Sequence, residues 1–241
     1  MKAILAIDQG TTSTRAIAFS LNGKKLFSSQ LEFKQYFPKN GWVEHDPEEI
    51  WKKTLKVVKH VIKKCKNKKI NILTIGIANQ RETTVMWDKS NGKPVYKAIV
   101  WQDRRTEDIC KKLKKNKHEK KIRKKTGLFI DSYFSATKIK WIIDNVKKTR
   151  NLLKNNKLLF GTIDTYLIWK LTNGKIHATD ATNASRTMLY NINTNKWDNE
   201  ILKIIKIPSS ILPKVKNTAD DYGYTKKSII GEAISITGVV G

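Results

Sequence analysis

The opening stretch of the chain restricts its fold more than any other. "KAILAIDQG" is an apolar run that ends in an acid and a glycine. "TRAIAFS" and "KLFSSQLEF" follow as two further strand-like runs, separated by "LNGK". Asn22 and Gly23 both tolerate a positive φ, which is what a tight hairpin turn requires. The order is therefore strand, Gly-Thr turn, strand, Asn-Gly turn, strand: an antiparallel meander. The mostly apolar first strand predicts a central position, buried on both faces.

A helix comes next. In "HDPEEIWKKTLKVVKHVIKKCKNKK", Asp46 is placed to cap the N-terminus, Pro47 suits the first helical position, and Glu49 stands where a capping box would have it. Trp51, Leu55, Val58, Ile62 and Cys65 recur at helical spacing and predict the buried face. "INILTIGIANQ" reads as a second buried strand, and "TTVMWDKSNGKPVYKAIVWQD" as a hairpin turning at Asn91-Gly92. Residues 104 to about 125 read as charged helix, with further helices in "SATKIKWIIDNV" and "KTRNLLKNN". "LLFGTIDTYLIWKLTNGK" combines a strand, a helix and a turn at Asn173-Gly174. "KWDNEILKIIKI" predicts a helix, "PSSILP" a turn, and "EAISITGVVG" a last strand. No repeat or low-complexity linker interrupts this α/β pattern of mixed strand directions, and 241 residues suffice for one large domain.

The formal charge of +27 raises the question of an anionic partner. Seven of the 48 basic residues are arginines and the other 41 lysines, in a chain also crowded with Asn and Ile. That bias reads as solvated filling of exposed positions, because arginine is the better fork for phosphates and base edges. No nucleic-acid partner is predicted. No apolar run approaches the roughly 18–20 residues of a membrane span. Asp8 interrupts the N-terminal apolar run too early for a signal peptide, so a cytoplasmic protein is expected. Cys65 and Cys110 make no disulfide framework and four scattered histidines predict no zinc site.

"DQGTTSTR" carries the first chemistry. The acid stands at the end of an apolar strand, where an open sheet presents its ligand crevice. The turn offers backbone amides and the hydroxyls of Thr11, Thr12, Ser13 and Thr14, a concave run of donors able to cradle phosphate oxygens. Arg15 adds a fixed positive charge for the same anion. A carboxylate beside a phosphate makes sense when Mg2+ sits between them, which nominates Asp8. The turn leads into a strand and lacks the G-x-x-x-x-G-K-[ST] pattern, so it is no Walker loop. It points to the actin-like and hexokinase-like ATPases.

Seven segments resemble the glycerol kinases of the FGGY carbohydrate kinase family, in family order and over nearly the whole chain: "DQGTTSTR", "GWVEHDPEEIW", "ANQRETTVMWD", "AIVWQDRRT", "TGLFIDSYFSATKIKWIIDN", "LFGTIDTYLIWKLTNG" and "DATNASRTMLYNI". The resemblance implies two ribonuclease-H-like domains with the active site in the cleft between them, residues 1–241 being the N-terminal domain. It implies ATP-dependent phosphorylation of glycerol to sn-glycerol 3-phosphate, in an enzyme that is often a homo-oligomer. Asp8 matches the family's magnesium-associated acid, and Thr11, Thr12, Ser13 and Arg15 its phosphate loop. Arg81, Glu82, Trp101 and Tyr133 match its glycerol site. Their chemistry suits a small triol: Glu82 can accept from two hydroxyls, Arg81 can donate, Tyr133 adds a polar contact and Trp101 a flat wall.

The resemblance also implies a general base, an aspartate directly after the strand matching "ISITGVVG", beyond Gly241. Without that base and the second domain, these residues alone are expected to show little or no turnover. The glycine-rich loop that binds a sugar bisphosphate in some relatives falls near "YTKKSIIGEA", where only Gly231 remains, so that regulation is not carried over. Two other readings compete: a related kinase of a pentulose or sugar acid, and a non-catalytic, lysine-rich module that binds anions or nucleic acid.

Overall fold

The computed structural model describes all residues, 1–241. β1 (Lys2–Gln9), β2 (Ser13–Ser20) and β3 (Lys25–Glu32) form the expected meander, with Ile7 opposite Ala16 and Ala16 opposite Ser29. Gly23 takes φ +81° in the second turn and its amide bonds back to the Ser20 carbonyl. After the short β4 (Glu44–His45), α1 (Pro47–Asn67) starts at Asp46, whose carboxylate accepts from the amides of Glu48 and Glu49. The reciprocal half of the capping box does not form. Glu49 instead accepts from the Lys34 amide at 3.4 Å and ties down the segment that leaves β3. Trp51, Val58, Ile62 and Cys65 are buried as expected, and Leu55 packs at the margin. β5 (Asn71–Asn79) then returns parallel to β1.

The segment around Asn91-Gly92 corrects the expected hairpin. The turn exists, with Gly92 at φ +69° and its amide bonded to the Asp88 carbonyl. Gly92 is obligatory there, because an added Cβ would stand 2.4 Å from the Trp169 ring. The flanking strands do not zip together, however, and only Trp87 bridges to Pro94. β6 (Val85–Asp88) pairs with a later strand, and β7 (Ala98–Ile99) pairs with β4. The Asp88 amide bonds to Lys93 O and the Val95 amide to Met86 O on either side of the Trp87–Pro94 bridge, and beyond it the chain pairs elsewhere.

The charged stretch that follows folds as α2 (Glu107–Lys115) and α3 (Glu119–Thr126), parted at Lys117, which has φ +59°. Then come α4 (Ser135–Asn145), α5 (Lys147–Lys154), β8 (Leu158–Gly161), which pairs with β6, and the almost wholly buried α6 (Ile163–Leu171). The last third contains β9 (Ala178–Asp180), α7 (Ala181–Ala184), β10 (Tyr190–Asn191), β11 (Lys196–Trp197), α8 (Asn199–Ile205), β12 (Lys214–Lys216), α9 (Lys227–Ile230) and β13 (Ser235–Val240).

The main sheet has the order β13-β5-β1-β2-β3, parallel on one side of β1 and antiparallel on the other. β1 is central, as expected, but it is buried on one face only. Ala3, Leu5 and Ile7 face the core made with α1 and α6, whereas Ile4 is 38% exposed on the other side, along with Leu73 and Val240. Both helices pack on the same face of the sheet, so apolarity on both sides of β1 did not translate into cover on both sides. A second core, built from α2, α4, α5 and α8 with β8, lies around Ile139, Ile142 and Phe160. The parallel strands β13, β5 and β1 end together at one edge, with Gln9 beside Asn79 and Ala78 beside Val240. That edge is where an open α/β sheet forms its ligand crevice.

Candidate active site

The turn between β1 and β2 is built from behind. The Gly10 amide bonds to the Ser13 carbonyl at 2.9 Å, while the amides of Thr11 and Thr12 have no acceptor within the protein. All three carbonyls that could compete for a ligand's position are held on the far side. Gln80 Nε2 donates to Gly10 O and Gln35 Nε2 to Thr11 O, both at 3.0 Å, and the Phe33 amide donates to Thr12 O. Two free amides on a carbonyl-anchored turn are what an anion-binding loop needs. Ser13 lies at its rim, accepting from Gln30 Nε2. The expected contribution of Thr14 is corrected. Its side chain falls on the core face of β2, and its hydroxyl is buried against Thr54 at 3.0 Å.

His45 lies beneath this turn and orients both glutamines. Burial lowers its pKa to about 4, so the neutral ring donates from one nitrogen and accepts at the other. Nε2 stands 2.5 Å from Gln35 Oε1 and Nδ1 lies 3.4 Å from Gln80 Nε2. His177, against Phe160 O, is also lowered to about 4, chiefly by burial. Both folded-state values lie below the unfolded 6.5, so the unfolded chain binds more protons between about pH 6.5 and 4, and stability falls as pH drops through that window. Asp164 opposes the trend. Buried without a cation, it is raised to about 6, so it favours the folded state as pH falls from 6 toward 4. A net acid loss of roughly 3 kcal/mol between pH 7 and 4.5 is expected in chemical denaturation. The loss should be visibly smaller in His177→Phe, and an unchanged slope would contradict the assignment.

Asp8 and Arg15 face each other across β1 and β2 and form a 2.7 Å ion pair, with both side chains nearly half exposed. Only Oδ2 of Asp8 is engaged, and Oδ1 has no partner in the protein. The two expected anion-site charges are thus adjacent and currently satisfy one another.

The second half of the site follows β5. The Gln80 amide bonds to Gln9 O at 2.7 Å, so Arg81 and Glu82 emerge beside the β1 turn. The Arg81 side chain is exposed and its guanidinium makes no bond within the protein. Glu82 is 2% exposed with φ +62°, a conformation a glutamate adopts only under constraint. Three bonds supply that constraint: Ser135 Oγ and Thr84 Oγ1 donate to its carbonyl at 2.8 and 3.2 Å, and Arg186 Nε to Oε1 at 2.5 Å. Burial raises the Glu82 pKa, while the Arg186 hydrogen bond and the charges of Arg186, Arg81 and Lys138 pull it down. Oε2 accepts nothing from the protein.

Trp101 joins the two halves. Its indole N–H donates to Thr11 Oγ1 at 3.1 Å, and its ring centroid lies 5.3 Å from that of Tyr133. Arg186 lies over the rings of Tyr133 and Phe134, at 5.6 and 5.0 Å. A continuous chain of contacts therefore runs Thr11–Trp101–Tyr133–Arg186–Glu82, and Arg81 borders it. The end of β13 closes the edge: the Gly241 amide donates to Thr182 Oγ1 at 2.8 Å, and a Cβ there would lie 2.8 Å from Arg81 Cγ. Asp8, Thr11, Thr12, Ser13, Arg15, Arg81 and Glu82 therefore lie at one edge of the main sheet, and Trp101 and Tyr133 reach that edge from loops outside it.

Comparison with known proteins agrees with this geometry. The FGGY family of carbohydrate kinases, N-terminal domain, matches residues 3–240. This chain belongs to the FGGY carbohydrate kinases. It is 57% identical over 240 residues to a glycerol kinase of Caldanaerobacter subterraneus subsp. tengcongensis, covering all of this chain and 48% of that protein. A crystal structure of Plasmodium falciparum glycerol kinase with ADP superposes with a TM-score of 0.97 at 39% identity, over all of this chain and 48% of that one. Gluconate kinase from Lactobacillus acidophilus gives 0.84 at 25% identity, again over all of this chain and 48% of that one. The chain spans about half the length of the curated relatives it matches. The FGGY chain has the ribonuclease-H-like α/β architecture of the actin and hexokinase type, with its mixed sheet and flanking helices. No helix is long and apolar enough to cross a membrane.

Sequence reasoning missed Arg186, although "NASRT" lies in one of the segments that carry the resemblance. The available signal was compositional. In a chain with 41 lysines, each of seven arginines stands where lysine is the default filling. Arg15, Arg105 and Arg186 all pair with carboxylates. His45, Gln35 and Gln80 carried no comparable signal, since a buried network is invisible until the elements are assembled.

Proposed function

We propose that this chain forms the phosphate-loop and polyol half of an ATP-dependent glycerol kinase. The carrying observation is the Trp101–Thr11 hydrogen bond at 3.1 Å, which sets the wall of the polyol pocket directly against the turn with free amides. The amides of Thr11 and Thr12, with Arg15, receive phosphate oxygens. Arg81 donates to glycerol hydroxyls, Glu82 accepts through its free Oε2, Trp101 covers the carbon chain and Tyr133 offers its unpaired hydroxyl. Asp8 suits a magnesium ion, because its free Oδ1 leaves room for water and phosphate oxygens around a single carboxylate. When bound, that ion would neutralise charge on the transferring phosphate.

In the reaction the primary hydroxyl oxygen of glycerol bonds to the γ-phosphorus, the bond from that phosphorus to ADP breaks, and the hydroxyl proton passes to a base. The residues here would hold the nucleophilic hydroxyl and the phosphoryl group being transferred within one groove, and such positioning is where most of the rate gain of phosphoryl transfer arises.

Binding tests this reading. Glycerol titrated into the chain is expected to give saturable heat and a change in Trp101 fluorescence, with gluconate and xylulose weaker by tenfold or more. Equal binding of all three, or a preference for a sugar, would move the chain to another FGGY substrate.

A further inference from the structure

Lys138 is a charged side chain with no exposed surface, one turn into α4. Its ammonium donates to three successive carbonyls, those of Ser132, Tyr133 at 2.9 Å and Phe134 at 3.4 Å. Three N–H donors meet three acceptors, all on the loop that carries Tyr133. We propose that Lys138 is a positioning residue for the polyol pocket, fixing the backbone of residues 132–134 so that Tyr133 stands against Trp101. This rests on the function proposed above.

The same helix holds the other wall of the pocket. Ser135 begins α4 and grips the Glu82 carbonyl, while Lys138 grips the Tyr133 carbonyl one turn on. One rigid element thus sets two pocket residues relative to each other, and side chains on regular elements are placed more accurately than those on loops. Lysine's flexible stem reaches carbonyls that face back over the helix start, and a compact ammonium with three donors suits them better than a planar guanidinium. Asp103, Cys110, Glu82 and Asp131 are the titratable groups that face it. Burial lowers its pKa to about 7 against their pull, the cost of taking an ammonium out of water.

The test compares the chain with its Lys138→Met variant, in which an unbranched apolar side chain fills the same space. Amide exchange at Tyr133 and Phe134 is expected to accelerate tenfold or more, with β1 and β5 unchanged, and the glycerol dissociation constant to rise tenfold or more. Unchanged exchange at 133–134, or acceleration spread through the whole sheet, overturns the proposal. Should the variant not fold, ε-15N-lysine spectra of the unaltered chain decide. Slowly exchanging Lys138 ammonium protons with through-space contacts to residues 132–134 support the clamp, and freely exchanging ones overturn it. Failure of the unaltered chain to bind glycerol would remove the proposed function, while the exchange and ammonium measurements would still decide the role of Lys138.

Discussion

Replacing Arg105 with methionine is expected to lower folding stability by roughly 3–5 kcal/mol, the usual cost of removing one partner from a buried ion cluster. Arg105 has a side chain with no exposed surface between two carboxylates that are themselves buried. Nε and a terminal nitrogen form a fork on Asp103 at 2.9 and 2.7 Å, and the same terminal nitrogen reaches Glu44 at 2.8 Å. The guanidinium also lies 3.7 Å over the Trp42 ring and 4.8 Å from Trp141. Methionine leaves both carboxylates without the guanidinium that hydrogen-bonds them, although Asp103 keeps the Val43 amide at 2.6 Å and the more distant charge of Lys138. Lysine should fail as well, by about 2 kcal/mol, because one ammonium cannot serve the fork and the stack together. Urea denaturation measures all three chains. A loss below about 1 kcal/mol in Arg105→Met would show that water or a shifted lysine satisfies the two acids, and the cluster would then be peripheral to stability. Pairing Arg105→Met with Asp103→Asn should recover part of the loss, since the energy resides in unpaired charge rather than in lost packing.

This cluster also shows what could be read from the chain alone and what could not. The meander, the capped α1 and the strand ends were legible because each depends on local chemistry: Asn22-Gly23 turns, Asp46 caps, and apolar periodicity marks the buried side. The position of Arg81-Glu82 at a strand end followed from the same pattern. The failures were all failures of pairing. Asn91-Gly92 makes its turn, yet the strands beside it bond to β8 and β4, because tertiary neighbours compete with local ones. Ile4 and Leu73 look like core, and whether a sheet face is covered depends on where helices from elsewhere come to rest. Thr14 looked like one more loop hydroxyl until the register of β2 turned it inward. Arg186, Lys138 and His45 needed the assembled structure, since each acts through residues far away in sequence or through backbone atoms that have no signature.

Glu82→Ala is expected to weaken glycerol binding roughly 100-fold, about 3 kcal/mol, while leaving the chain folded. The figure follows from what the carboxylate can do. Its Oε2 accepts no bond within the protein, and hydrogen bonds to charged groups contribute about 1.5–3 kcal/mol each. A triol offers it two hydroxyls. Alanine also leaves Arg186 without its partner at 2.5 Å, so the guanidinium over Tyr133 would lose the contact that holds it in place. The fold itself should tolerate the change, because the Glu82 carbonyl remains bonded to Ser135 and alanine loses no more than glutamate at φ +62°. Glu82→Gln should fall between the two, since a neutral acceptor keeps the geometry and gives up the charge. Calorimetric titration of the three chains with glycerol separates these effects. If alanine binds within threefold of the parent, the pocket bounded by Trp101, Tyr133 and Arg81 is not where the polyol sits. If glutamine matches the parent while alanine fails, shape rather than charge governs recognition at Glu82.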